Sequence, residues 1–147
     1  HELIPQLMAA GKSNGFHRKL QDDEILITAD TMVLCGDEIM GKPVDRDDAI
    51  RMIGKLQNNT HTVLTGVCLR SNSKTITFTS STDVHFGPIS NEEIEFYIDT
   101  YRPYDKAGSY GVQEWIGYAG IKGIEGSFYN VMGLPVHMLY NKLKEMV

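Results

Sequence analysis

The residues in this 147-residue chain that could do chemistry together are an acid, a few lysines and an amide. Asp30 stands in the middle of the nearly unbroken apolar run Glu24-Ile25-Leu26-Ile27-Thr28-Ala29-Asp30-Thr31-Met32-Val33-Leu34-Cys35. Such a run reads as a strand buried on both faces. A carboxylate there is costly unless it is paired, hydrogen-bonded or metal-bound. Two readings of Asp30 are open: a strand-end carboxylate that caps a loop or emerges into solvent, or a group at the carboxyl end of a central strand, where open α/β sheets bind ligands. Lys42 follows in Gly41-Lys42-Pro43, and Asp105-Lys106-Ala107-Gly108 precedes Gln113-Glu114. Metal-assisted hydrolysis of a phosphoanhydride needs this set, because a base or metal activates water while cations offset the anionic charge. Plainer roles exist for the same residues. Asp105 could cap the loop after Pro103, Lys106 could be a solvated loop lysine, and Trp115 could stack on a base or pack as an indole. Glu114 and Glu125 are candidate metal partners without supporting spacing.

Other chemistries find less support. The five histidines, at 1, 17, 61, 85 and 137, show no HxH or HExxH spacing, so a histidine metal site is not expected. Serines lack a GxSxG context, and no glycine run matches GxGxxG or GxxxxGK[ST]. Cys35 and Cys68 lie in apolar strand-like runs without CxxC spacing, as buried free thiols do in a reducing compartment. The cytoplasm is therefore the expected location. A net charge of −5 argues against a general binder of nucleic-acid polymers or anionic membranes, yet is compatible with a small phosphorylated ligand held by local lysines. No apolar segment reaches the roughly 20 residues of a membrane span. A chain of this length buries about 68–70% of its unfolded surface in one domain, so residues 1–147 are expected to form a single domain.

The elements that must position these groups can be read in order. Ile4, Leu7, Met8 and Leu20 suggest a helix between Ile4 and Leu20, weakened by Gly11 to Gly15. After the Asp30 strand, Gly36-Asp37-Glu38 reads as a turn and Ile39-Met40 as a short returning strand, which brings Lys42 back towards Asp30. Asp45 has the features of an N-cap for a helix with Ala49, Ile50, Ile53 and Leu56 on its apolar face. Thr60 to Arg70 and Lys74 to Phe86 alternate in the period-2 manner around Ser71-Asn72-Ser73 and should pair as a hairpin. Ser90-Asn91-Glu92-Glu93 is a capping-box signature for a helix ending near Tyr101, ahead of Pro103. Between Tyr104 and Pro135 lie seven of the fourteen glycines, which points to a loop-rich wall or a set of turns. A last helix opens at Gly133-Leu134-Pro135, with Val136, Leu139, Tyr140 and Leu143 on its apolar face.

Taken together, Ile27-Thr28-Ala29-Asp30-Thr31, Gly41-Lys42-Pro43, Thr65-Gly66-Val67, Asp105-Lys106-Ala107-Gly108-Ser109-Tyr110-Gly111-Val112-Gln113 and Gly126-Ser127-Phe128-Tyr129-Asn130-Val131-Met132-Gly133-Leu134-Pro135 closely resemble the Maf family of nucleoside triphosphate pyrophosphatases. The resemblance covers the chain from about Leu3 onward. It implies an α/β fold with a mixed, elongated central sheet flanked by helices, and a cleft that cuts a nucleotide between its α and β phosphates with a divalent cation, Mg²⁺ or Mn²⁺. Asp30 matches the family's proton acceptor, expected to stand at the metal as well. Thr31 and Gln113 match positions linked to base choice, in the pairing of a subgroup acting on dTTP and UTP. Lys42 and Lys106 match lysines near the phosphates, and Lys12 matches another in a segment where the usual Arg-Glu neighbours are Ala10-Gly11. The expected partner is a nucleoside triphosphate, with a homodimer left open. Family members begin with a strand and a Ser-x-Ser-Pro-Arg-Arg phosphate loop, followed by an acidic residue. This sequence, starting at His1-Glu2-Leu3 without an initiator Met, contains neither, so an N-terminally truncated member is the expectation. A catalytically impaired nucleotide-binding or regulatory protein of the same fold is the alternative.

Overall fold

A computed structural model describes all residues from His1 to Val147. Helix α1 (Leu3–Asn14) precedes the long strand β1 (Leu26–Cys35), which turns through Gly36-Asp37 into the short strand β2 (Glu38–Met40). Helix α2 (Arg46–Leu56) leads to β3 (Thr60–Arg70) and β4 (Thr75–Phe86), and α3 (Asn91–Tyr101) follows. A 3-10 turn at Ala107–Ser109, helix α4 (Trp115–Gly120), strand β5 (Ile121–Glu125) and helices α5 (Phe128–Met132) and α6 (Val136–Met146) complete the chain. No helix is long and apolar enough to cross a membrane.

Local sequence signals account for most element ends. The Asp45 carboxylate accepts from the Asp48 backbone N–H and caps α2, relieving one of the orphan donors of a helix start. Ser90 and Glu93 form the reciprocal capping box at α3. Ser71 closes the β3–β4 hairpin, its backbone N–H donating to the Lys74 carbonyl. The Gly-rich region is irregular from Tyr104 to Glu114 but for one 3-10 turn, and beyond that it departs from the expected loops and turns, since it contains α4, β5 and α5. These short elements are held by packing: Ile116 is buried in the main core, and Ile121 and Ile124 pack against it.

The sheet order is β2-β1-β3-β4-β5. An α/β fold with a central sheet flanked by helices is the expected class. All four pairings are antiparallel, where the expectation was a mixed sheet. Tight turns join β1 to β2 and β3 to β4, and such turns can connect only antiparallel strands. On one face, Val33, Cys35 and Val63 pack with Ala49, Met52, Ile53 and Leu56 of α2 and Ile94, Tyr97 and Ile98 of α3. Further along, Val67, Leu69 and Phe78 pack with Leu139 of α6. Leu139 is the buried residue of α6, whereas Val136 and Tyr140 of its expected apolar face are exposed. Cys35 and Cys68 are buried free thiols.

The opposite face carries α1, and here the expected apolar stripe is not the buried one. Pro5, Ala9 and Ser13 face the sheet, while Leu3, Ile4, Leu7 and Met8 are exposed. The reason is distance: a Cβ on Gly66 of β3 would lie 2.2 Å from the Pro5 backbone carbon. Only small residues fit at such a crossing. The helix also ends at Asn14 rather than running on to Leu20.

Candidate active site

Asp30 is neither fully buried nor at a strand end. It is the fifth of ten residues in β1, and its side chain is 25% exposed. The cause is the brevity of β2, which pairs only with Val33, Leu34 and Cys35. On that side the first seven residues of β1 form an open sheet edge, so side chains from both faces reach one space. Thr28 and Asp30 point to the α1 face, where the Thr28 hydroxyl donates to the Ala9 carbonyl at 2.7 Å. Thr31 points to the other face, its Oγ1 lying 2.9 Å from Thr65 Oγ1.

Lys12, in the last turn of α1, reaches over this edge. Its ammonium donates to the Ala29 carbonyl and to Asp30 Oδ1, both at 2.8 Å. One lysine thus satisfies an edge carbonyl and fixes one carboxylate oxygen, while Oδ2 has no hydrogen-bond partner. The turn after β2 supplies Lys42. It is tied to the next wall by the Gly108 N–H, which donates to the Gly41 carbonyl at 3.1 Å. Lys106 lies in that wall and donates to Asp105 at 3.2 Å. This bond, with the Lys106 and Lys42 charges, holds the Asp105 carboxyl below its ordinary range.

Lys12, Asp30, Thr31, Lys42, Lys106 and Gln113, the six residues singled out from the sequence, all line one cavity of about 420 Å³. That size lies within the range of small-molecule sites. Three lysines against Asp30 and Asp105 make it locally cationic in a chain of charge −5. Gln113 also borders a second cavity of about 590 Å³, with Tyr118, Lys122 and Phe128 on its walls. The base-stacking option for Trp115 is replaced by packing, for the indole sits edge-on to Phe96 and stacked near Tyr97. Glu114 accepts a hydrogen bond from Tyr97, and Glu125 pairs with His85. Neither faces a set of metal ligands, and no trio of His, Cys, Asp or Glu side chains is gathered at one point. The Asp30 carboxylate still suits Mg²⁺ or Mn²⁺ as a lone carboxylate ligand, since Mg²⁺ commonly takes one or two carboxylates and fills its shell with phosphate oxygens and water.

A family model described as Maf-like protein matches residues 1–146. The chain belongs to the Maf family. It is similar to a dTTP/UTP pyrophosphatase of Porphyromonas gingivalis, with 53% identity over 146 residues, 98% of this chain and 73% of that protein. A protein of the same name from Parabacteroides distasonis is 50% identical over 141 residues, covering 96% of this chain and 73% of the relative. One from Flavobacterium psychrophilum is 47% identical over 137 residues, 93% and 70% of the two chains. In this Maf chain, Thr65 and Asn130 stand inside the quoted motifs, but the motifs gave them no role, and the structure places them behind the site. Asn130, fully buried, donates through Nδ2 to the Val63 and Ser80 carbonyls and to Thr82 Oγ1. Thr65 links Thr31 to the Asn130 carbonyl. Their polar types at buried positions were the available signal, visible only once burial is known.

Proposed function

We propose that this chain hydrolyses nucleoside triphosphates, dTTP and UTP foremost, to the monophosphate and pyrophosphate. The observation that carries the proposal is the Asp30 carboxylate, one oxygen tied to Lys12 and the other without a hydrogen-bond partner, in the lining of a cavity to which three separate segments contribute lysines. In this reading Asp30 Oδ2 takes a proton from a water molecule. The water oxygen bonds to the α phosphorus, and the bond from that phosphorus to the α–β bridging oxygen breaks, its electron pair leaving with pyrophosphate. Lys12 holds the carboxylate in the orientation that accepts the proton, a positioning effect of the kind that dominates such reactions. Lys42 and Lys106 offset charge on the departing phosphates. Thr31 and Gln113 meet the base, where an amide presents both a donor and an acceptor. Asp30 would hold a divalent cation, Mg²⁺ or Mn²⁺, which would supply further charge neutralisation on the phosphates.

The test is pyrophosphate release from dTTP and UTP with Mg²⁺ or Mn²⁺. It is run on this chain and on a version with an SxSPRR segment joined ahead of His1. Release that falls by about 10²-fold or more in Asp30→Asn, the scale of losing a general base, supports the proposal. No release from either chain overturns it, and tight nucleotide binding without turnover transfers the site to the binding-protein reading.

A further inference from the structure

Gln113 is exposed and belongs to no helix or strand, and Lys106 lies in the same irregular segment. Something outside that segment must fix them if they are to recognise a ligand, because ordering them at the moment of binding lowers affinity. The structure offers one such support, from a residue that does not line the cavity. Tyr97 of α3 is fully buried, and its ring stacks on Tyr101. Its hydroxyl accepts from the Gly111 N–H at 2.9 Å and donates to Glu114 Oε1 at 2.5 Å. One bond holds the Gly111 backbone and the other the Glu114 side chain, on either side of Val112-Gln113. Burial and the Glu114 carboxylate raise the Tyr97 phenol well above its ordinary range, so it remains the donor of the second bond. A third contact reaches Lys106. A Cβ on Gly111 would lie 2.7 Å from Glu114 Oε1 and 2.9 Å from Lys106 Cε. The lysine stem therefore crosses the bare face of Gly111 beside the Glu114 carboxylate.

We propose that Tyr97 and Glu114 are positioning residues for Gln113 and Lys106, acting through the Gly111 backbone to set nucleotide affinity and base preference. This role rests on the nucleotide reading above. A merely structural role would change melting temperature alone. A positioning role changes affinity and selectivity in a protein that is still folded.

The experiment uses uncleavable α,β-methylene-UTP and α,β-methylene-ATP, titrated into the whole chain with Mg²⁺ well below the lowest melting temperature. Tyr97→Phe keeps the ring and removes the hydroxyl, and is expected to weaken binding of the uridine analogue by about 10-fold or more, the scale of a hydrogen bond to a charged group. Its preference for uridine over adenosine should narrow. Glu114→Ala should match it, Glu114→Gln, which keeps an acceptor for Tyr97, should bind nearly as the parent does, and the Tyr97→Phe/Glu114→Ala pair should be no weaker than either alone, as members of one network are. A folded Tyr97→Phe protein with parental affinity and preference overturns the role. Should that variant fail to fold, parental binding by Glu114→Ala overturns it equally. A parent that binds neither analogue refutes the nucleotide reading itself, whereas a binding parent with unaltered variants removes only the positioning role.

Discussion

Gly66→Ala is a single methyl group that should damage both the fold and the cavity. The new Cβ would lie 2.2 Å from the Pro5 carbonyl carbon and 2.3 Å from Gln6 N and Pro5 O, all backbone atoms. Carbon atoms rest near 3.5 Å apart, so the helix must retreat by roughly 1.3 Å. No rotamer change can relieve a clash with backbone. Retreat loosens the burial of Pro5 and Ala9 and strains three tethers of α1. These are the Thr28 hydroxyl to the Ala9 carbonyl at 2.7 Å, Arg70 to Ser13 at 2.8 Å, and Lys12 to Asp30 at 2.8 Å. Overpacking costs about 1–3 kcal/mol, and each weakened hydrogen bond adds up to about 1 kcal/mol. A loss near 3 kcal/mol lowers the melting temperature of a chain this size by about 6–12 °C. Lys12 also leaves Asp30 by about an ångström, a misplacement that can cost roughly 10²-fold in rate.

Thermal melting and pyrophosphate release measured on the same preparation check both effects. Gly54→Ala is the matched control, since Gly54 lies in α2 with nothing within 4 Å of its added Cβ. It should stabilise by up to about 1 kcal/mol, the helix-propensity difference, without touching activity. A Gly66→Ala protein that melts within 2 °C of the parent and retains its rate, 2 °C being roughly the smallest shift per kcal/mol for a chain this size, refutes the argument from close approach.

Three further perturbations probe other parts of the molecule. Lys42→Gln and Lys106→Gln should each raise KM for UTP by about 10-fold or more, from loss of a charge-assisted contact to phosphate, and unchanged KM in both removes the lysines from the site. His61 is buried against Phe86 and Tyr110, and burial lowers its pKa from 6.5 to about 4. Between those values the unfolded chain binds the proton and the folded chain does not, so stability falls as pH drops from 6.5 towards 4, by up to about 1.4 kcal/mol per pH unit from this group. Urea midpoints across that range should fall more steeply for the parent than for His61→Phe, and parallel curves would sink the assignment. Ser90→Ala removes the hydroxyl that accepts from the Glu93 N–H and should cost about 1 kcal/mol in urea denaturation while leaving turnover intact.

Features that depend on near neighbours were legible in the sequence. The Asp45 and Ser90 caps, the Gly36-Asp37 turn and the β3–β4 hairpin each rest on contacts within a few residues. Features that depend on distant partners were not. The short returning strand at Ile39-Met40 was legible, but the apolar run around Asp30 gave no sign that so short a partner leaves the first part of β1 an open edge, because the covering of an edge is set by tertiary packing. The apolar stripe of α1 misled for a related reason, as the Gly66 crossing selects Pro5, Ala9 and Ser13 by size rather than by hydropathy. Glycine density between Tyr104 and Pro135 hid α4, β5 and α5, whose burial of Ile116 and Asn130 outweighs weak local propensity. Family motifs drew the six site residues from across the chain, yet no motif spacing points to Tyr97, which serves the site through its hydroxyl from inside a helix of the core.

The charge distribution explains how an acidic chain can present a cationic cavity. Away from the cavity several of the basic side chains are paired with acids: Arg18 with Glu24, Arg46 with Asp99 and Glu95, Arg51 with Glu38 and Asp48, Lys55 with Glu38, and Lys142 with Glu145. Within it, Lys12 and Lys106 are paired only to the cavity's own Asp30 and Asp105, and Lys42 has no ion-pair partner. Charge that is neutralised locally contributes little at a distance, so these pairs add little to the field an approaching polyanion meets, while the unpaired Lys42 adds to it at the cavity. The net charge of −5 repels a polyanion at long range, whereas the lysines of the cavity attract phosphate at short range. Net charge and site charge thus act at different distances, the first over the whole surface and the second only where a ligand reaches the lysines of the cavity.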